Sequence, residues 1–455
     1  MEKLKSVKLF GGLSLKSWLI ALSLVFYVFV YICSYRAFLL MMFGLLMPVI
    51  AFAAIDLHRS RPYAGTLTFR LMVAAALWSV FSTVVNWRVD MEWVLKYWFV
   101  TSCWLYFAFA ARDAGWKEIK QQLLSAGIVL ICGYLPLALL ALVSVFTGRV
   151  IRVPFLSNPV GIQTAGKIDR QVFVLFNPNS DGRITMYCIL MAIFGCLSCR
   201  RKGVRVFNII VILVNLMLLA HTQSRTCFIG LAAGLALLSF RALYLRFVSL
   251  KWRIPAGLLV AVLVFFAVLG GLKLIYNVDV ATARALSADH NVESAVPNIR
   301  VELANQFDML TSGRGNRWLY SFKYLKEHPR YLLTGMGGTV KNAFNKVYKV
   351  YSTEIGVNNG FHNSYLATVA IGGIPLLVIM LAYLCKLFLP CLRLYLRPAT
   401  EESRGFAVVP VFIFVLLITN VTENGLFCGA SYVNLLFFLL CGIAFHADRL
   451  ARGEG

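Results

Sequence analysis

Runs of about 20 apolar residues recur along nearly the whole of this chain, and they decide what it can fold into. A helix of that length crosses the hydrocarbon core of a bilayer, which is about 30 Å thick. Twelve such runs are expected, at 17–35, 37–55, 67–86, 92–111, 122–146, 180–198, 204–220, 226–243, 254–275, 361–385, 406–420 and 426–445. The first hairpin, around Arg36, is tight, and the eleventh run is short and holds Pro410. Composition agrees: 60% of the residues are hydrophobic and 14% charged, against about a quarter charged in a soluble domain. The expected fold is an all-α polytopic membrane protein of about twelve spans. Residues 1–275 carry nine spans, 276–360 form one large polar loop, and 361–455 carry three more spans and a short tail.

The net charge is +24. In a soluble protein that would suggest nucleic acid. Here nucleic acid is set aside, because cations beside spans are topology signals and also attract anionic lipid or diphosphate. With the N-terminus inside and strict alternation, 24 of the 44 Lys and Arg fall in short inside loops or tails. Every short inside connection except the one after the fourth span is distinctly basic. Both termini are then cytoplasmic, and 276–360 faces outward, which in a bacterial inner membrane is the periplasm.

None of the eleven cysteines lies in 276–360, so no disulfide framework is expected there. Cys196 and Cys199 form a CxxC at the end of a span and are expected to be ordinary thiols. The first apolar run, near Leu15, follows Lys3, Lys5 and Lys8 and lacks a small-residue cleavage site. It is expected to be a signal anchor.

The polar loop has structure of its own. Asn277 to Pro297 is polar and expected to be irregular. Asn298 to Leu310 predicts a helix with Ile299, Leu303, Phe307 and Leu310 on one stripe. Arg317 to His328 predicts a second, with Trp318, Phe322 and Leu325 on its stripe and Pro329 ending it. These helices are expected to lie on the membrane face and cap a cavity.

Four outward cationic positions stand out: Arg225, Arg314, Arg317 and His362. A charged Arg at the edge of hydrocarbon is expensive unless it is paired or functional. Its guanidinium also grips phosphate through a two-pronged fork. The plainer reading of Arg225 is snorkelling to headgroups. Imidazole titrates near working pH, so His362 is a candidate general base; the plainer reading is a satisfied interfacial histidine. His221, His290 and His328 are weaker candidates. Asn177-Pro178-Asn179 could lend amides to a polar cavity or simply cap a helix. No HExxH, no GxxxxGK[ST] and no His/Cys cluster occurs. Asp90 and Glu92 could hold a divalent ion, but Arg88 beside them points to a local ion pair. No metal or cofactor is expected. Gly230-xxx-Gly234 reads as helix packing, and Gly335-x-Gly337-Gly338 as a turn.

Taken in order, these pieces resemble the O-antigen ligase/polymerase superfamily. The pattern is Asn177–Asn179, then Ser224–Thr226, then Arg314, Trp318, Pro329, Gly335 and Gly337, then His362–Leu366 with Gly372–Pro375. The resemblance covers residues 170 to 380. It implies a twelve-span, GT-C-like glycosyltransferase with a large periplasmic loop and an undecaprenyl-diphosphate glycan donor. In the ligases the acceptor is a sugar of the lipid A core. Carried over by motif, Arg225 and Arg314 would neutralise the diphosphate leaving group and His362 would be the base. Arg317, Trp318, Asn177, Asn179 and Asn363 would help bind substrate. Transfer would be metal-independent and inverting. Three alternatives stay open. One is a polymerase that accepts another lipid-linked repeat. A second is a protein O-glycosyltransferase, which usually carries further C-terminal sequence. The third is a non-enzymatic transporter of lipid-linked glycan, against which stand the few charges within spans and the lack of repeat halves.

Overall fold

A computed structural model describes residues 66–86, 114–147, 151–153, 160, 178–222, 224–246, 250–286, 314–356, 360–427 and 432–453. These residues form thirteen helices: α1 (Leu67–Val85), α2 (Trp116–Thr147), α3 (Pro178–Ser198), α4 (Lys202–Thr222), α5 (Arg225–Arg246), α6 (Leu250–Leu286), α7 (Gly315–Glu327), α8 (Arg330–Thr334), α9 (Val340–Val350), α10 (Ser352–Ile355), α11 (Ser364–Leu396), α12 (Val408–Thr419) and α13 (Tyr432–Ala451). The one β feature among them is an isolated antiparallel bridge between Ile151 and Val160.

Eight helices are long and apolar enough to cross a membrane, and α12 is shorter. Together these nine fall on nine of the expected spans. The expected spans at 17–35, 37–55 and 92–111 lie outside the described residues, as does the expected loop helix at 298–310. Outward apolar faces fit a lipid solvent: Leu259 and Phe266 of α6 are 62% and 66% exposed, which water would penalise and hydrocarbon does not.

The chain divides into two compact units. One draws on Ala114–Asn298 and Leu394–Val415, the other on Ile50–Asp113, Ile299–Arg393 and Leu416–Gly455. In the first unit, α3 is buried over most of its span. Polar side chains tie it to its neighbours: the Tyr134 hydroxyl of α2 donates to Asp181 (3.0 Å), and the Ser224 hydroxyl donates to Asn179 Oδ1 (2.9 Å). A Cβ at Gly182 would lie 2.9 Å from that of Ser224, so the glycine lets the two segments approach.

Two expectations need correction. The segment from Asn277 is not irregular, because α6 continues to Leu286. A helix already nucleated extends at little cost, and Ala281, Ala283 and Ala285 favour the extension. In the loop helix α7, Phe322 is not on the buried stripe; it is 59% exposed, beside Leu319 at 61%. The buried side centres on Ser321, Tyr324 and Leu325, which leaves Phe322 on the flank.

The second unit is built around a break in α11. Gly373 has φ 71° and ψ −175°, and Pro375 follows it. Pro375 has no N–H to return to Ile371, so carbonyls are released in mid-helix. Each finds a donor elsewhere. Met336 N donates to Ala370 O (2.7 Å) and Gly337 N to Ile371 O (3.0 Å). The Ser82 hydroxyl also donates to Ile371 O, and Trp78 Nε1 donates to Gly372 O, both at 2.6 Å. Gly335 and Gly337 have φ of 71° and 63°. The Gly335–Gly338 turn expected from sequence is therefore a clasp that fixes the loop to the broken span. A Cβ at Gly335 would stand 2.0 Å from the Ile371 carbonyl oxygen. Gly335→Ala is expected to lower stability by more than about 3 kcal/mol, read as a fall in melting temperature and yield; an unchanged melting temperature would contradict the clasp.

Candidate active site

The candidate base lies just before the first turn of α11. Asn363 caps the helix: its Oδ1 accepts from Tyr365 N (3.0 Å) and Leu366 N (2.9 Å), satisfying N–H groups that have no partner within the helix. Just before the cap, His362 adopts φ 48°, the only positive φ at a non-glycine among the described residues. Histidine tolerates that region better than bulky apolar residues, and such strain gathers at functional sites.

Neighbouring bonds hold the turn. Trp318 Nε1 of α7 donates to Phe361 O (2.9 Å). The connection between α12 and α13 closes over the other side. Asn363 N donates to Asn424 Oδ1 (3.1 Å), and Ser364 N donates to Asn420 O (3.0 Å). The Ser364 hydroxyl donates to Glu423 O (2.8 Å) and accepts from Leu426 N (3.2 Å).

These bonds place Glu423 between two cationic partners. Arg314 Nη2 donates to Glu423 Oε1 at 2.6 Å, and His362 Nδ1 lies 3.5 Å from Glu423 Oε2. The side chains of Arg314, Glu423 and His362 are 9%, 3% and 12% exposed, so the cluster is screened little by solvent. At that separation His362 Nδ1 makes no hydrogen bond, and Glu423 faces the ring as a nearby negative charge. It stabilises the imidazolium formed when Nε2 takes a proton, the role of the acid in a catalytic triad.

Glu423 was not among the residues singled out from sequence. It is a lone acid in Val421-Thr422-Glu423-Asn424-Gly425, with no motif around it. One signal was available: a charged residue in a short turn between two spans is expensive unless paired, and topology put that turn on the same side as His362.

The other expected residues fall as follows. Arg314 and His362 share the cluster. Arg317 lies three residues further along α7, half-buried. Trp318 and Asn363 support the turn through the atoms just named. In the other unit, Asn179 is buried and its Oδ1 accepts from Ser224, while Arg225 is exposed at the first residue of α5. Asn177 lies outside the described residues, as do His290, Asp90 and Glu92. The weaker histidines have local partners: the Nδ1 atoms of His221 and His328 are 2.7 and 3.0 Å from the carbonyls of Met217 and Tyr324. Cys196 and Cys199 are free thiols. In the loop, the Tyr351 hydroxyl bonds the Glu327 carboxylate, which pushes that phenol up to about 12. The bond helps fix α7, and with it Trp318 and Arg314.

No curated protein matches the chain. A family model described as O-antigen ligase matches residues 209–381, a stretch that holds Arg225, Arg314 and His362 and ends before Glu423. Over that stretch, which is under half of the 455 residues, the chain is similar to the family described as O-antigen ligase.

Proposed function

We propose that this protein is an O-antigen ligase of the bacterial inner membrane. It moves a glycan from undecaprenyl diphosphate to a sugar of the lipid A core, on the periplasmic side, without a metal and with inversion. The observation that carries this reading is the Arg314–Glu423–His362 cluster, buried at the start of a helix long enough to cross a membrane.

His362 Nε2 takes the proton of the acceptor hydroxyl as that oxygen bonds to the anomeric carbon. The bond from that carbon to the diphosphate oxygen breaks, and its electron pair leaves with the diphosphate. In-line attack inverts the anomeric centre. The imidazolium is stabilised by Glu423, which Arg314 holds in place. Arg314 meets the charge growing on the leaving group, so it needs no proton to depart; the role of Arg225 is the one its motif implies, a cation for the donor. Arg317 is a further cation for the donor. Trp318, Asn179 and Asn363 have polar atoms engaged within the protein, and their contribution is to shape the binding surfaces.

Two tests bear on this reading. Purified protein given lipid-linked donor and lipid A core is expected to form the new glycoside in EDTA. Among the described residues no His, Cys, Asp or Glu cluster suits a metal. Activity lost in chelator and restored by magnesium or manganese would instead make Asp90 and Glu92 ligands. The second test is orientation: a reporter at residue 320 is expected to read periplasmic, and reporters at 60, 202, 250 and 400 cytoplasmic. A cytoplasmic reading at 320 would put the base in the wrong compartment.

A further inference from the structure

The first unit holds an apolar cavity of about 420 Å³ that the proposed reaction does not use. It lies between α5 and α6 and is bordered by Tyr395, in the last turn of α11. Small side chains leave it open: Ala233 and Ala236 of α5 and Ala261 of α6 line it, with Phe240 as one wall. A Cβ at Gly257 would lie 2.8 Å from the Phe240 ring, so the glycine lets α6 close on that wall. On α5 the lining runs from Ala233 to Phe240, about 10 Å along the axis, toward the end remote from Arg225. The Tyr395 hydroxyl is turned to the backbone, donating to Leu237 O (2.5 Å). Two further lining residues, Leu258 and Phe266, are exposed, so the cavity opens toward the hydrocarbon.

The end of α5 and the start of α6 have the character of a headgroup region. Arg246 ends α5 and is exposed, and Trp252 of α6 is 66% exposed; tryptophan gathers at membrane–water interfaces. Arg253 carries its charge 5.7 Å from the centre of the Tyr244 ring, which stacks on Phe240 at 5.8 Å. A series of side chains so runs from a guanidinium to the cavity wall. Arg241 Nε donates to Tyr395 O (2.5 Å) and Nη2 to Arg397 O (2.8 Å). These neutral acceptors fix the guanidinium without cancelling its charge. From Arg225 to Val278 the chain has no Asp or Glu. An apolar slot therefore ends in a positive rim.

We infer that this cavity seats an acyl chain of an anionic phospholipid whose headgroup lies on the arginine rim, in the leaflet remote from Arg225. Charge selects the occupant. A zwitterionic lipid fills the slot as well but gains little from the rim, whereas each basic residue at a membrane surface strengthens the hold on an anionic one. The site shares no residue with the Arg314–Glu423–His362 cluster, so it stands or falls apart from the proposed transfer reaction.

The test uses the full chain purified in neutral detergent. Its melting temperature is followed against dilauroyl phosphatidylglycerol, dilauroyl phosphatidylcholine and glycerol phosphate at constant ionic strength. A saturable rise is expected with phosphatidylglycerol, a much weaker one with phosphatidylcholine, and none with glycerol phosphate, which lacks the chains. Arg246→Gln and Arg253→Gln should each need about fivefold more phosphatidylglycerol for half the effect, the loss expected from one cation at the membrane surface. Ala261→Phe fills the slot and should abolish the rise; Ala233→Leu fills it from α5 and replaces the first variant if that one does not fold. The inference is overturned if phosphatidylglycerol gives no saturable rise in wild type, if either control lipid or headgroup matches it, or if the folded variants respond as wild type does. A lipid-free dimer that Ala261→Phe breaks would assign the slot to a second copy of the chain, and would overturn the inference too.

Discussion

His362→Ala is expected to lower turnover by about 10²–10⁴-fold, the range for a lost general base. The protein should remain folded and still bind donor. The residue lies before the helix cap, and the bonds that hold the turn are made by Phe361 O, Asn363 and Ser364. Removing the imidazole leaves those bonds intact. Alanine accepts positive φ less readily than histidine, so a small loss of stability is expected too. Kinetics separate the effects: a base defect lowers kcat with the donor KM unchanged, whereas a distorted site raises KM. A variant with near wild-type rate would return His362 to an interfacial structural role.

Arg314 produces the second large effect, and it acts in two ways. Arg314→Ala removes a cation proposed to meet the diphosphate, at about 3 kcal/mol or roughly a hundredfold in rate. It also strips the buried Glu423 of its partner, and breaking a buried pair from one side costs about 3–5 kcal/mol of stability. Arg314→Lys should rescue poorly, because a point charge does not replace the fork. The pair Arg314→Ala with Glu423→Gln separates the two roles. Removing the stranded charge should recover much of the lost stability without recovering donor use. Glu423→Gln alone should fold and bind donor, yet lose kcat, because a neutral amide does not stabilise the imidazolium. If Glu423→Gln leaves kcat unchanged, Glu423 serves only to hold Arg314 and the turn.

Much of this arrangement was legible in the residues. Apolar runs of span length marked the helices because bilayer thickness imposes a length on sequence. Arg314 and His362 stood out because ionisable groups beside spans need a reason to be there. What was hidden depended on partners distant in sequence. Glu423 acquires its role only when the turn between α12 and α13 folds onto the start of α11. The break at Gly373 was within sight as Gly372-Gly373-Ile374-Pro375, yet its meaning lies in the donors supplied by Trp78, Ser82, Met336 and Gly337. The motif carried Asn363 over as a substrate contact; its Oδ1 instead caps α11 through the bonds from Tyr365 N and Leu366 N. Phe322 fell on a three-residue stripe that periodicity alone could not orient.

The most direct measurement gives purified wild-type protein a lipid-linked glycan donor together with both acceptors, lipid A core and a second lipid-linked repeat, and follows which one gains sugar and with what anomeric configuration. The expected result is glycan on the lipid A core, joined with the configuration opposite to that of the donor bond. Longer lipid-linked chains with unmodified core would make the protein a polymerase. A retained configuration would contradict direct attack assisted by His362, and donor that crosses the membrane with no new glycoside would contradict enzymatic transfer altogether.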